Sequence, residues 1–66
     1  MSHTILRLPE VKALTKLSRS TIYLRMQNNE FPKPISLGGR SVGWVEEEVQ
    51  QWIVERIEQS RISDLA

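Results

Sequence analysis

Arg19-Ser20-Thr21-Ile22-Tyr23, followed by Gln27, is the stretch of this sequence best equipped for chemistry at a surface. The hydroxyls of Ser20 and Thr21 and the amide of Gln27 can bond to base edges or to phosphate oxygens. Arg19 can grip a guanine edge or a backbone phosphate, and Tyr23 adds an aromatic phenol. Lys33 between Pro32 and Pro34, and Arg40-Ser41 beside Gly38-Gly39, add two cations and another hydroxyl. A helix beginning at Arg19 would also aim its unpaired N-terminal amides outward, which is a phosphate site. These eight residues read as one contact set for double-stranded DNA. Each has a plainer reading alone: Tyr23 as a partly buried core aromatic, Arg40 as an ordinary hairpin arginine.

Catalysis has no comparable set. Glu46-Glu47-Glu48 offers carboxylates, but consecutive residues on a helix point in different directions. No histidine–carboxylate pair, no nucleophile with a base and no glycine-rich phosphate loop can be found. His3 is the single histidine, reads as a solvated residue near the start, and cannot build a zinc site alone. The absence of cysteine removes disulfides and thiolate metal sites, and fits a reducing compartment. No enzyme activity, cofactor or metal is therefore expected. Trp44 and Trp52 could stack on single-stranded bases, but their positions, at a strand end and on an inward helical stripe, read as core.

Charge divides sharply along the chain. Residues 1–45 carry seven basic side chains against Glu10 and Glu30, a balance of +5. Residues 46–66 carry Arg56 and Arg61 against six acids, a balance of −4. A basic face opposed to an acidic one suits a polyanion partner. No apolar run is long enough for a membrane span or a signal-peptide core, so a cytoplasmic protein without membrane contact is expected. At 66 residues the chain makes one domain, 1–66, with an ordered core over about 5–60. Its core must be thin, without a deep pocket on the scale of roughly 300 Å³.

The elements that must position these residues are short. Ile5-Leu6-Arg7-Leu8 opens as a brief strand or an extended lead-in. Pro9 and Glu10 suit a first helical turn, and the spacing of Leu8, Val11 and Leu14 predicts a helix over 9–15 with those residues inward. Thr15-Lys16-Leu17 is a turn, and Ser18 is a good N-cap for a second helix, Arg19 to about Asn28. There Ile22, Met26 and the stem of Arg25 face inward, while Ser20, Tyr23, Leu24 and Gln27 face out. Asn28-Asn29 can close it in the left-handed conformation. Phe31-Pro32-Lys33-Pro34 is an extended connector anchored by Phe31. Residues 35–37 and 42–44 alternate as half-buried strands around the tip Gly38-Gly39-Arg40-Ser41. Val49, Trp52, Ile53, Arg56 and Ile57 predict a last helix over about 46–60 whose stripe is used by the core, with fraying from Ser60. The class is mainly α with a small β-hairpin: a helix-turn-helix with a wing.

Several spaced blocks carry a resemblance. Arg7-Leu8-Pro9-Glu10-Val11, Leu17 to Tyr23, Phe31 to Ile35, Leu37-Gly38, Val42-Gly43-Trp44, Glu48-Val49 and Trp52 resemble the AlpA family of prophage regulators, over roughly residues 5–57. The resemblance implies a winged helix-turn-helix related to the DNA-binding domains of MerR-type regulators and phage excisionases. It implies action on phage or genomic-island DNA, as a transcriptional activator or an accessory factor of integrase-driven excision. The helix after Ser18 would be the recognition helix and the loop around Arg40 the wing. Two positions depart from the pattern: Asn29, where such proteins often have glycine, and Leu24, where a basic side chain is expected.

The expected function is therefore sequence-specific DNA binding by a regulator. A second reading is a protein-interaction adaptor whose acidic last helix, or exposed Leu24, holds an integrase or a response regulator. A single module buries only about 600–1,000 Å² on DNA, so adjacent copies on repeated half-sites, or a larger partner, are expected to assist.

Overall fold

A computed structural model describes the backbone of residues 3–65 and the side chains of residues 3–62. Of the two readings of the opening segment, the brief strand is the one observed: β1 (Ile5–Leu6) is followed by α1 (Leu8–Thr15) and α2 (Arg19–Gln27). Then come β2 (Ile35–Gly38), β3 (Ser41–Val45) and α3 (Glu46–Leu65). All strand pairing is antiparallel, in the order β1-β3-β2, with Ile5 opposite Val45, Leu6 opposite Trp44 and Ile35 opposite Gly43. Gly43 makes that arrangement possible. A Cβ there would lie 2.5 Å from Ile5 Cγ2 and 3.1 Å from the Leu6 carbonyl oxygen, so β1 could not approach a larger residue.

The core is small, as chain length dictates. Leu6, Val11, Ile22, Phe31, Trp44 and Val49 are buried, with Leu8, Leu17, Met26, Trp52 and Ile53 packed around them. These residues come from the helices, two of the strands and the loops alike, so each of those segments depends on the others for cover. No helix among the described residues is long and apolar enough to cross a membrane.

Several expectations are corrected. Leu14 is 42% exposed, not inward; a spacing of three slips by about 60° per step on a helix, so only Val11 in that series points straight at the core. The strands are not evenly half-buried. β2 is an exposed edge strand throughout, whereas Gly43 and Trp44 of β3 are both buried. The last helix is longer than the expected 46–60 and runs to Leu65. Neither glycine nor proline interrupts it, and side-chain pairs such as Arg56 Nη2 to Gln59 Oε1, 2.6 Å, support its surface. Its stripe also leaves the core early: Val49, Trp52 and Ile53 pack inward, but Arg56 and Ile57 are exposed. The three-stranded sheet is too short to cover the whole of so long a helix. Two surface hollows, of about 1050 and 380 Å³, are open depressions between elements and not deep pockets.

Candidate nucleic-acid interface

The turn between α1 and α2 is built from local hydrogen bonds. Thr15 Oγ1 donates to the Val11 carbonyl at 2.8 Å and accepts the Leu17 N–H at 3.3 Å. Lys16 adopts the left-handed conformation, φ 63°, and returns its N–H to the Lys12 carbonyl. A lysine there carries a steric cost on the order of 1 kcal/mol that glycine would avoid, and it lets α2 leave sharply. Ser18 then caps α2. Its Oγ accepts the Thr21 N–H at 3.3 Å and donates to Thr21 Oγ1 at 2.9 Å, with Ser20 Oγ 3.3 Å away.

The far end of α2 closes in a Schellman arrangement. Asn29 takes φ 58°, its N–H donates to the Met26 carbonyl at 3.1 Å, and the Glu30 N–H donates to the Arg25 carbonyl at 2.7 Å. An apolar contact commonly joins the two outer residues of this motif; here they are Arg25 and Glu30, paired at 3.7 Å across a half-exposed surface. Asn29 therefore performs the turn that glycine makes elsewhere.

Between these caps, α2 buries only Ile22. Ser20, Leu24 and Gln27 are placed on the outer side, with Leu24 57% exposed, and Tyr23 and Thr21 are half-buried. Met26 and Arg25 lie on the inner side, as their spacing requires. The Arg19 guanidinium carbon sits 5.6 Å from the Tyr23 ring centroid, so the cation is steadied over the aromatic face with its N–H groups available. No acid lies on α2. Its outer surface thus presents one stacked cation, hydroxyls, an amide and an apolar patch.

After α2 the connector is fastened by both tryptophans. Trp52 Nε1 donates to the Glu30 carbonyl at 2.7 Å, and Trp44 Nε1 donates to the Pro32 carbonyl at 3.0 Å. Phe31 lies between, buried, with its ring edge-on to Trp52 at 4.8 Å. The expected core role holds for Trp44, whereas Trp52 is half-buried at the core's margin; both also fix the backbone that carries Lys33. As a result Lys33 reaches the same hollow as Tyr23 and Gln27, which Met26 and Pro34 complete. Residue type alone points to three of these five. Spacing assigns Met26 to the core, and Pro34 reads only as a breaker.

The wing follows. Gly38 and Gly39 take φ 106° and 57°, giving a two-residue loop of Gly39 and Arg40 between the paired Gly38 and Ser41. Arg40 and Ser41 are exposed at that tip. No hydrogen bond joins them to Arg19, Ser20, Thr21, Tyr23, Gln27 or Lys33 among the described residues, so the eight candidates form three groups: the capped start of α2, the hollow, and the tip. The larger groove runs between the connector and α3, with Trp52 in its wall, the acids Glu30, Glu47, Glu48 and Glu55 around it, and the cations Lys33 and Arg56 among them. His3, expected to be solvated, is exposed and lies with Nδ1 3.6 Å from Glu47 Oε1.

Comparison with known proteins adds an independent line. Residues 4–57 match the family described as Prophage CP4-57 regulatory protein (AlpA). The uncharacterized protein ORF88 of Enterobacteria phage P4 is 52% identical over 52 residues, 79% of this chain and 59% of that protein. The chain thus spans less than two thirds of the phage protein's length. The DNA-binding transcriptional activator AlpA of Escherichia coli strain K12 is 41% identical over 58 residues, covering 79% of this chain and 83% of that protein.

Proposed function

The chain belongs to the AlpA family of prophage regulatory proteins, and from that premise we propose that it is a sequence-specific duplex-DNA-binding regulator of transcription, not an enzyme. The observation that carries the reading is the outer surface of α2. It holds Arg19 stacked on Tyr23, exposed Ser20, Gln27, and no acid, on a helix entered by a sharp turn and capped at both ends. α2 enters the major groove, where Arg19, Ser20, Thr21, Tyr23 and Gln27 meet base edges and phosphates. Lys33, Arg40 and Ser41 meet the flanking backbone. The DNA is that of a prophage or genomic island, and the protein acts in the cytoplasm as a transcriptional activator or as an accessory factor of integrase-driven excision. Adjacent copies on repeated half-sites, or an integrase, supply the selectivity that one module lacks.

Footprinting on the promoter and attachment DNA of the element that encodes the chain tests this. Protection should appear at low salt. With about five phosphates contacted, log affinity should fall against log salt with a slope of about −4 to −5. No protection at low salt overturns the reading. The adaptor reading draws support from the groove beside Trp52, where four glutamates outnumber Lys33 and Arg56 and suit a basic segment of an integrase or response regulator. Charge reversal at Glu47 and Glu48 should then abolish partner capture and leave DNA binding intact.

A further inference from the structure

The hollow beside α2 has a character that sets it apart from the rest of the proposed interface. Its volume is about 380 Å³, and it is lined by Tyr23, Met26, Pro34, Gln27 and Lys33, with most of its lining apolar. A surface that reads DNA through hydrogen bonds alone has no need of an apolar recess. The mostly apolar lining matches the one apolar group that the major groove displays, the 5-methyl of thymine. The neighbours fit the same ligand. Gln27 offers a carbonyl and an NH₂, the pair that matches the N6 and N7 positions of adenine. The cations Lys33 at the rim and Arg19 over Tyr23 suit the phosphates on either side.

Resting on the reading of α2 as the recognition helix, the geometry points to a specificity device: the hollow receives a thymine methyl group while Gln27 bonds the edge of an adjacent adenine. The recognised DNA therefore has an A·T pair under the C-terminal half of α2, and Tyr23, Met26 and Pro34 select it by shape and apolar contact. Continuity supports this assignment, since Tyr23, Gln27 and Lys33 belong at once to the hollow and to the proposed contact set.

The test uses the full chain and its footprinted duplex. Each thymine in the protected region is replaced singly by deoxyuridine, which removes only the methyl group. One or two positions should lose about fourfold in affinity, the equilibrium worth of one methyl-sized group withdrawn from water; the others should be unaffected. In Tyr23→Asn the thymine–uracil difference at those positions should vanish, and in Tyr23→Phe it should persist whatever the absolute affinity. Circular dichroism establishes that both variants fold, and Pro34→Ser serves as a second way to open the wall. If the unsubstituted duplex is not bound at all, the reading of α2 fails and this inference with it. If the duplex is bound but no uracil substitution matters, the hollow is not a methyl site, and DNA binding stands. If Tyr23→Asn and Pro34→Ser keep the full difference, the methyl is sensed elsewhere and the assignment is overturned.

Discussion

The connector from Glu30 to Pro34 and the second half of α3 are opposites. The connector has no regular secondary structure, yet two indole N–H groups hold its carbonyls and Phe31 buries its ring between them. The second half of α3 is regular helix, yet every side chain from Val54 to Ile62 is exposed. Regular backbone satisfies its own hydrogen bonds and needs no neighbour to exist; irregular backbone must find partners for each polar group or leave it to water. The lesson is that regularity and fixation are separate properties here. The residue that must be held in place, Lys33, sits on the irregular segment that is fastened.

Removing a fastener tests the comparison most severely. Trp44→Ala should cost about 3–5 kcal/mol, since a fully buried tryptophan leaves a cavity and an unpaired Pro32 carbonyl. For a domain of this size, whose whole stability is on the order of 3–10 kcal/mol, urea denaturation should show about a third or more of that stability lost, and the native state lost altogether at the lower end of the range. Trp52→Phe is gentler. It keeps an aromatic ring against Phe31 but deletes the N–H bond to the Glu30 carbonyl and part of the indole's half-buried area, for about 1–2 kcal/mol. Amide exchange should then quicken around residues 30–33 while α3 beyond residue 54 is unchanged. Equal quickening in both regions would dissolve the distinction.

What could be read in advance follows the reach of each interaction. Ser18 as a cap, Asn29 as a left-handed closure and Gly39 at the wing tip each depend on a few neighbouring residues, so spacing and residue type suffice. The outward face of α2 is legible for the same reason. The pairing of Ile5 with Val45 spans most of the chain and no local pattern announces it. Gly43 looks like any small strand residue until β1 lies across it. Nothing about Lys16 signals its left-handed conformation, because lysine has no preference for it. In the candidate site, Tyr23, Gln27 and Lys33 could each be named, but that they surround one hollow depends on where the indoles hold the connector. The apolar period of α3 marks which residues share a side of the helix; it carries no signal of where the sheet beneath them ends.

That last limit sets the smallest expected effect. Ile57 continues the stripe of Val49 and Ile53 but is 46% exposed. Full burial of an isoleucine is worth about 1.5–3 kcal/mol, and only a fraction of that is available at a side chain so open. Alanine also favours helix over isoleucine by several tenths of a kcal/mol. The two terms oppose each other, so Ile57→Ala should change stability by less than about 0.5 kcal/mol, against the several kcal/mol expected at Trp44. Measured across a range of protein concentrations, the midpoint should stay fixed. A loss of about 1.5 kcal/mol or more, the value of a well-covered side chain, would mean that this part of α3 is covered after all. If that loss also grew with concentration, the cover would be a second copy, and the free half of α3 would be as fastened as the connector.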